Sequence, residues 1–389
     1  MKSSNRILFI ALIGATLIKL YLALTTEGSL DAAGFLDHLH KIREFGVGAY
    51  RVRGALDNPF NSPPPMIYLI RTWGWLTDHT GIRFAFWLRL PSIIADIGSF
   101  LCVGAFLEKE SPTAKRFPVL VALALCPTAI LISGYHGNTD SLMIFLVLLS
   151  IYFVETDKPR WQAGVVFGLA LSVKVMPLCF IPALFFYLKD LRTRAQFFCA
   201  ATFTFIVCSL PYLAQDPKAI WASVFGYGSI YGHWGWSLLA VLTFPTRPTY
   251  LHEPFDVQGS HAVFAQILKF LTIAAILIVS LWLNRREKNP SLFVQSGLIT
   301  AIVLFMAPGF GVQYLVWLVP FVAALGSRMT FTYYTLSASY LLIAYLCWAS
   351  LVCFPRVALF LTLICWLLIF MLIVEFRNLL SDQIAKTQS

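Results

Sequence analysis

The sequence predicts an all-α, polytopic membrane protein of roughly twelve transmembrane or partly inserted helices with a long structured first outer loop, and three observations predict it. Hydrophobic residues make up 58% of the chain and charged residues only 12%, against about 25% charged in a soluble domain. Mean hydropathy is +0.74. Basic clusters recur between the apolar runs: Lys2/Arg6, Lys109/Lys115/Arg116, Lys158/Arg160, Lys189/Arg192/Arg194, Arg285/Arg286/Lys288, Arg328 and Arg377/Lys386. Lysine and arginine collect in cytoplasmic loops, so these clusters are assigned to the cytoplasm. That also accounts for 29 basic against 19 acidic residues without a nucleic-acid partner. The eight cysteines lie almost wholly inside apolar runs with no metal-like spacing, as buried thiols do.

Ile7 to Leu24 is long for the apolar core of a signal peptide and reads as the first span. Phe84–Leu107 follows as the second. Two basic clusters on one side require the chain between them to leave and return, so Phe117–Val154 is a hairpin whose turn falls in "GYHGNTDS", at His136 to Asp140. Leu292–Leu325 obeys the same logic, with its turn at "APGFGVQY". "WQAGVVFGLALSVKVMPLCFIPALFFYL" also lies between basic clusters. At about 1.5 Å per residue each of its arms reaches only about 20 Å, against a hydrocarbon core of about 30 Å. Its turn, at Lys174 and Pro177, is therefore placed below the outer surface, where a charge must face water or a partner. Phe197–Leu213, Val263–Leu283, Phe331–Ser350 and Val357–Glu375 complete the set, with both ends cytoplasmic. The whole chain, 1–389, reads as one transmembrane domain with outer loops at 25–83 and 214–262.

The first outer loop, roughly sixty residues long, exceeds a mere connection. Phe35, Leu39 and Ile42 share one helical face with Leu36 beside them, and "GVG" closes that helix. Asp37/Lys41 and His40/Glu44, spaced i to i+4, read as its wet face. "NPFNSPPPMIYLIRTWGWL" continues as an aromatic helix lying in the interface plane. Asp31 stands before the first of these helices. It suits a helix cap and equally a general base at the membrane surface, and the two roles are compatible. Arg51, Arg53, Arg71 and Arg83 fall outside against the usual bias. They read either as solvated surface or, as a group, as receivers of a phosphate.

Taken in order, these motifs resemble the GT-C superfamily of membrane glycosyltransferases, especially its mannosyltransferase-like bacterial members. An Asp after the first span precedes a helix ending in "GVGAY" and a Pro-rich segment; a hairpin tip then reads "GNTDSLMIFLVLLSIYF". "GVVFGLALSVKVMPLCFIPALFFYL" carries a Lys followed by two prolines, and "APGFGVQYLVWLVPF" ends a tip in Gln-Tyr. The resemblance covers roughly residues 10 to 325. It implies a polyprenyl-phosphate-linked sugar donor, inversion at the anomeric carbon, and a first-loop carboxylate as base, which by position is Asp31. Acceptors would be a glycolipid, a glycan or a protein. Asp37 stands six residues on, so the adjacent acidic pair of many members is missing, which weakens the case for a bound metal; no cofactor is expected, with a divalent metal left open.

Lys174 is the first candidate for a phosphate contact, against a snorkelling lysine at a span end. His136 and Asp140 join it, against a plain role as polar residues at a helix start. Gln313 and Tyr314 are candidates for the sugar pocket, although interfacial tyrosines are common. In "YGSIYGHWGWSLL", His233 with Trp234 and Trp236 suits phosphate and sugar stacking, against an ordinary Gly-rich aromatic loop. The rival readings are a secondary transporter, whose midplane charges and repeated halves the sequence lacks, and a non-catalytic scaffold. The expected location is a bacterial plasma membrane, or the endoplasmic reticulum in a eukaryote.

Overall fold

The computed structural model describes residues 3–52, 60–110, 113–226, 229–243, 259–285, 289–348 and 355–386. Among them six helices are long and apolar enough to cross a membrane: Ser4–Thr25, Phe84–Glu110, Ala114–His136, Leu191–Leu213, Gly259–Leu283 and Arg356–Lys386. Met176–Tyr187, Leu292–Met306 and Val312–Leu325 are apolar but shorter. The expected dozen thus resolves into six full-length helices and a set of shorter ones. The chain is an integral membrane protein, and it divides into two compact units, Met1–Leu178 with Leu188–Tyr227, and Cys179–Tyr187 with Gly228–Ser389.

In the first unit, α1 (Ser3–Thr25) leads to α2 (Leu30–Phe45), a 3-10 turn over Gly46–Tyr50, α3 (Met66–Thr80) and α4 (Phe84–Glu110). The face expected for α2 is the buried one, with Phe35, Leu39 and Ile42 under 9% exposed. Two details differ from the sequence reading. Ser29, not Asp31, caps α2, its Oγ accepting from the Asp31 N–H at 3.1 Å. The Asp37–Lys41 pair, at 2.9 Å, is not on a wet face, because Lys41 is 4% exposed. The reason is that α2 packs on both α3 and α4, which covers more of its circumference than a single apolar stripe. Gly46, at φ 58, ends the helix as the "GVG" break suggested. On α3, Trp73 is buried while Trp75 is 55% exposed.

The expected two-span hairpin at 117–154 is met in part: α5 (Thr113–Ala124), the short α6 (Pro127–Ala129) and a π-helical turn over Ile130–His136 make one span-length arm, while α7 (Asp140–Glu155) is shorter and packs on α4 and α8. Its two arms turn over within Gly137–Thr139. The wide turn lets Gly134 lie on the backbone of α1: a Cβ there would stand 2.9 Å from Lys19 Cα. α8 (Arg160–Val173) packs on α10 (Leu191–Leu213) through Gly164 and Gly168, whose absent Cβ atoms would stand 2.2 Å from Phe197 O and 2.5 Å from Ala201 O. Small residues four apart permit this backbone approach where lipid supplies no hydrophobic drive. α11 (Pro217–Gly226) completes the unit.

The second unit holds α9 (Ile181–Tyr187), α12 (Gly235–Thr243), α13 (Gly259–Leu283), α14 (Leu292–Met306), the short α15 (Val319–Val322), α16 (Ser327–Trp348) and α17 (Pro355–Lys386). Its centre is α14, with twelve of fifteen residues buried. α13 instead leaves Val263, Phe270 and Ile278 more than 60% exposed, as a lipid-facing helix does. β1 (Ile230–Tyr231) pairs antiparallel with β2 (Gly309–Phe310).

Candidate active site

The polar centre of the first unit is built where α2 begins and the hairpin turns. Ser29 Oγ donates to the His136 carbonyl at 2.8 Å, and the Ser29 N–H reaches the same oxygen at 3.3 Å. This ties the start of α2 to the hairpin tip. Gly137, at φ 81, turns the chain there, and a Cβ at that position would stand 2.9 Å from the Ala32 Cβ. Only glycine satisfies both demands.

Asp31 then meets the tip directly. Its Oδ2 accepts from Asn138 Nδ2 at 2.5 Å and lies 3.1 Å from His136 Nε2. Asn138 is itself immobilised, since its Oδ1 accepts from the Thr139 N–H at 2.6 Å and its carbonyl from Ser92 Oγ at 2.8 Å. Two residues on, Asp140 opens α7 with no exposed surface and takes Lys174 Nζ at 2.6 Å. Lys174 ends α8 in an extended conformation. The side chain of Asp31 is 36% exposed, against 1% for His136 and 21% for Lys174. It is the member of this group most open to an incoming molecule.

Electrostatics follow from this arrangement. Partial burial alone would raise the Asp31 pKa. The charge and hydrogen bond of His136, the Asn138 amide and the Lys174 charge outweigh it and hold the carboxyl down at about 2. Among the described residues no three His, Cys, Asp or Glu side chains converge as metal ligands do.

The remaining candidates fall elsewhere. Arg51 pairs with Asp216 at 2.5 Å, with its side chain 70% exposed, and the neighbouring Tyr50 carbonyl accepts from Ser223 Oγ at 2.9 Å. Arg53 lies outside the described residues. His233, Gln313 and Tyr314 belong to the second unit, where β1 and β2 bring their segments together. Burial pushes the His233 pKa down. The next residue, Trp234, stacks on Phe310 with centroids 3.9 Å apart and donates to the Leu304 carbonyl at 2.8 Å. Gln313 folds its amide over Gly311, which has no Cβ to obstruct it. Tyr314 stacks on Trp317 at 4.1 Å, and its hydroxyl reaches Ser229 Oγ at 3.1 Å.

Sequence reasoning placed Asn138 at a hairpin tip without giving it a role, and it passed over Arg89. Arg89 lies inside the expected span Phe84–Leu107 and is fully buried, its Nη1 donating to carbonyls where α1 ends. An arginine within an apolar run was the available signal.

The fold and this centre define a helical membrane protein that gathers a reachable carboxylate, its imidazole and amide partners and a nearby lysine where two helical segments turn. Glycosyltransferase family 87 matches residues 60–308. The chain belongs to glycosyltransferase family 87, and glycosyl transfer is the chemistry against which the site is read. It is also similar to GPI mannosyltransferase 1 of Candida albicans (strain SC5314 / ATCC MYA-2876), at 19% identity over 119 residues, 30% of each chain. The chain therefore matches less than a third of that relative's length. His136, Asn138, Asp140, Lys174 and His233 fall within the family match; Asp31 and Arg51 precede it, and Gln313 and Tyr314 follow it. The hydrogen bonds of His136 and Asn138 join Asp31 to the matched region.

Proposed function

We propose that the protein transfers a hexose, mannose-like, from a polyprenyl-phosphate-linked donor to a lipid, glycan or protein hydroxyl on the extracytoplasmic face, with inversion. The observation that carries this is the Asp31 carboxylate, open to the outside of the cluster and backed by His136, Asn138 and the Lys174 cation. As the acceptor oxygen bonds to the anomeric carbon, its proton passes to Asp31. The anomeric carbon–oxygen bond breaks, and its electron pair leaves on the donor phosphate. Lys174 and His136 are the groups suited to meet that negative charge. The apolar helices hold the isoprenoid tail in lipid while the phosphate and sugar reach the polar centre.

A carboxylate held at about 2 is ionised at any working pH but is a weak base. Arrival of an anionic phosphate beside Lys174 and His136 offsets their attraction for Asp31 and moves its basicity toward the useful range. The base is thus strengthened only when donor is present.

The test is transfer of labelled sugar by full-length protein in liposomes, supplied in parallel with monophosphate and diphosphate polyprenyl donors. Turnover with wild type and its loss in a folded Asp31→Asn variant support the reading. Wild-type turnover in Asp31→Asn removes the base, and no transfer from either donor by wild type removes the donor class. Sidedness is tested with membrane-impermeant thiol reagents. A cysteine at Leu30, 67% exposed, should label in intact cells, and one at Leu191, 81% exposed, only after permeabilisation.

A further inference from the structure

α1 and α4 run antiparallel and meet at two polar rungs. At one, Lys19 Nζ lies 2.6 Å from Asp96 Oδ2, with side chains 7% and 13% exposed. At the other, Arg89 Nη1 donates to the carbonyls of Leu22 at 3.3 Å and Thr26 at 3.1 Å, and to Thr26 Oγ1 at 3.2 Å. Lys19 and Thr26 are seven residues apart on one segment, and Asp96 and Arg89 are seven apart on the other. Seven residues rise about 10.5 Å on a helix, so the two rungs match and fix the register. The last carbonyls of a helix lack intrahelical partners and form the negative end of its dipole, which suits a cation there.

The rest of the guanidinium points at the catalytic turn. Nε and Nη2 have no hydrogen-bond partner among the described residues. A Cβ at Gly28 would stand 1.9 Å from Nη2, and one at Gly137 3.3 Å from Nε. Both glycines have positive φ, 90 and 81. The flat Arg89 group therefore lies beneath two turns at once: the one that delivers Asp31, and the one that carries His136 and Asn138.

We propose that Arg89, held in register by the Lys19–Asp96 pair, is a positioning residue that seats Asp31 on His136 and Asn138. The proposal rests on the glycosyl-transfer reading for its activity readout only. Lysine at this position keeps the charge but loses the planar fork, so Arg89→Lys separates positioning from electrostatics. The charged or titratable groups facing Asp31, namely His136, Lys174 and His38, are untouched in every variant used.

The experiment compares wild type, Arg89→Lys, and Lys19→Asp and Asp96→Lys singly and together, as full-length protein in liposomes. Expected for Arg89→Lys is a loss of tenfold or more in kcat per folded molecule, with donor KM within twofold. Carbodiimide labelling of Asp31 at pH 4, which requires a protonated carboxyl, should rise at least threefold as Asp31 slips from its partners. The two single changes should raise labelling as well, and the exchanged pair should restore it, which keeps the test open if Arg89 variants do not fold. Unchanged kcat and labelling in folded Arg89→Lys would overturn the proposal, as would loss of yield or thermal stability alone. Turnover surviving in Asp31→Asn counts against the base assignment, while the labelling still reads positioning.

Discussion

The first unit and the second concentrate different chemistry. In the first, polar side chains meet: the Asp31 carboxylate on the His136 imidazole, and Asp140 on Lys174. In the second, the candidate residues stand among aromatic stacks, Trp234 on Phe310 and Tyr314 on Trp317, with a neutral amide at Gln313. Charges worth several kcal/mol when misplaced are retained in a membrane protein only where they do something. Aromatic stacks instead supply area and shape at little electrostatic cost. Under the proposed function, the charged cluster of the first unit is the part suited to proton transfer and phosphate handling, and the aromatic stacks of the second are suited to shape recognition.

The sharpest way to break that assignment is Asp31→Asn. The amide keeps the shape and a hydrogen bond to the tip but accepts no proton, so kcat should fall about 10³-fold, within the range typical of general-base removal. Donor binding, measured by equilibrium titration, should stay within a few-fold. A loss confined to binding would move Asp31 from catalysis to recognition and erase the division of labour.

Next comes Lys174→Met. Asp140 has no exposed surface, and taking the cation from a buried carboxylate costs about 3 kcal/mol or more. A clear fall in thermal unfolding temperature is expected. Adding Asp140→Leu should recover most of that stability because both charges are then gone, yet turnover should stay low. If the double variant regained activity, the pair would be structural, and the first unit would differ from the second in less than its charged pairs suggest.

Much of this was legible from residue order. The helix breaks at Gly137–Thr139 and at Lys174 followed from the polar residues that interrupt the apolar runs, and the α2 core face followed from its periodicity. The stretch around Lys174 read as one hairpin, whereas α9 belongs to the second unit and packs on α13 and α14. The cap did not, because Ser29 and Asp31 are both favoured capping residues. What decides for Ser29 is the His136 carbonyl, 107 positions along the chain. Nor did the pairing of β1 with β2, since strands of two residues carry no period to read. Arg89 and Asp96 were visible as a seven-residue spacing inside an apolar run, but their partners, the end of α1 and Lys19, come from a different span. Segments that depend on a distant acceptor are where local reading stops.

In the second unit, Tyr314→Phe sharpens the contrast at smaller scale. It removes the hydroxyl that reaches Ser229 but leaves the stack on Trp317. A hydrogen bond of this kind is worth about 1 kcal/mol, so a change of up to about fivefold is expected, in KM rather than kcat. A kcat effect matching that of Asp31→Asn would place reaction chemistry in the second unit as well.

The smallest expected effect compares two titratable groups on α2 itself. Asp31 is held by partners, whereas His38 is buried edge-on between Phe35 and Phe60, with ring centroids at 6.0 and 5.2 Å and no hydrogen-bond partner for Nδ1 among the described residues. Burial first, and the Lys41 charge second, lower its pKa from 6.5 to about 4, against a smaller opposing pull from Asp37 and Asp31. The unfolded segment takes up a proton near pH 6.5, and the folded one resists until about 4. The stabilising contribution is therefore complete above about 6.5 and is lost as pH falls from there to about 4. Limited proteolysis of α2 should accelerate across that window in wild type and stay level in His38→Phe. An acceleration that persists in the variant would assign the acid sensitivity to another group, and His38 would then be an ordinary packed ring.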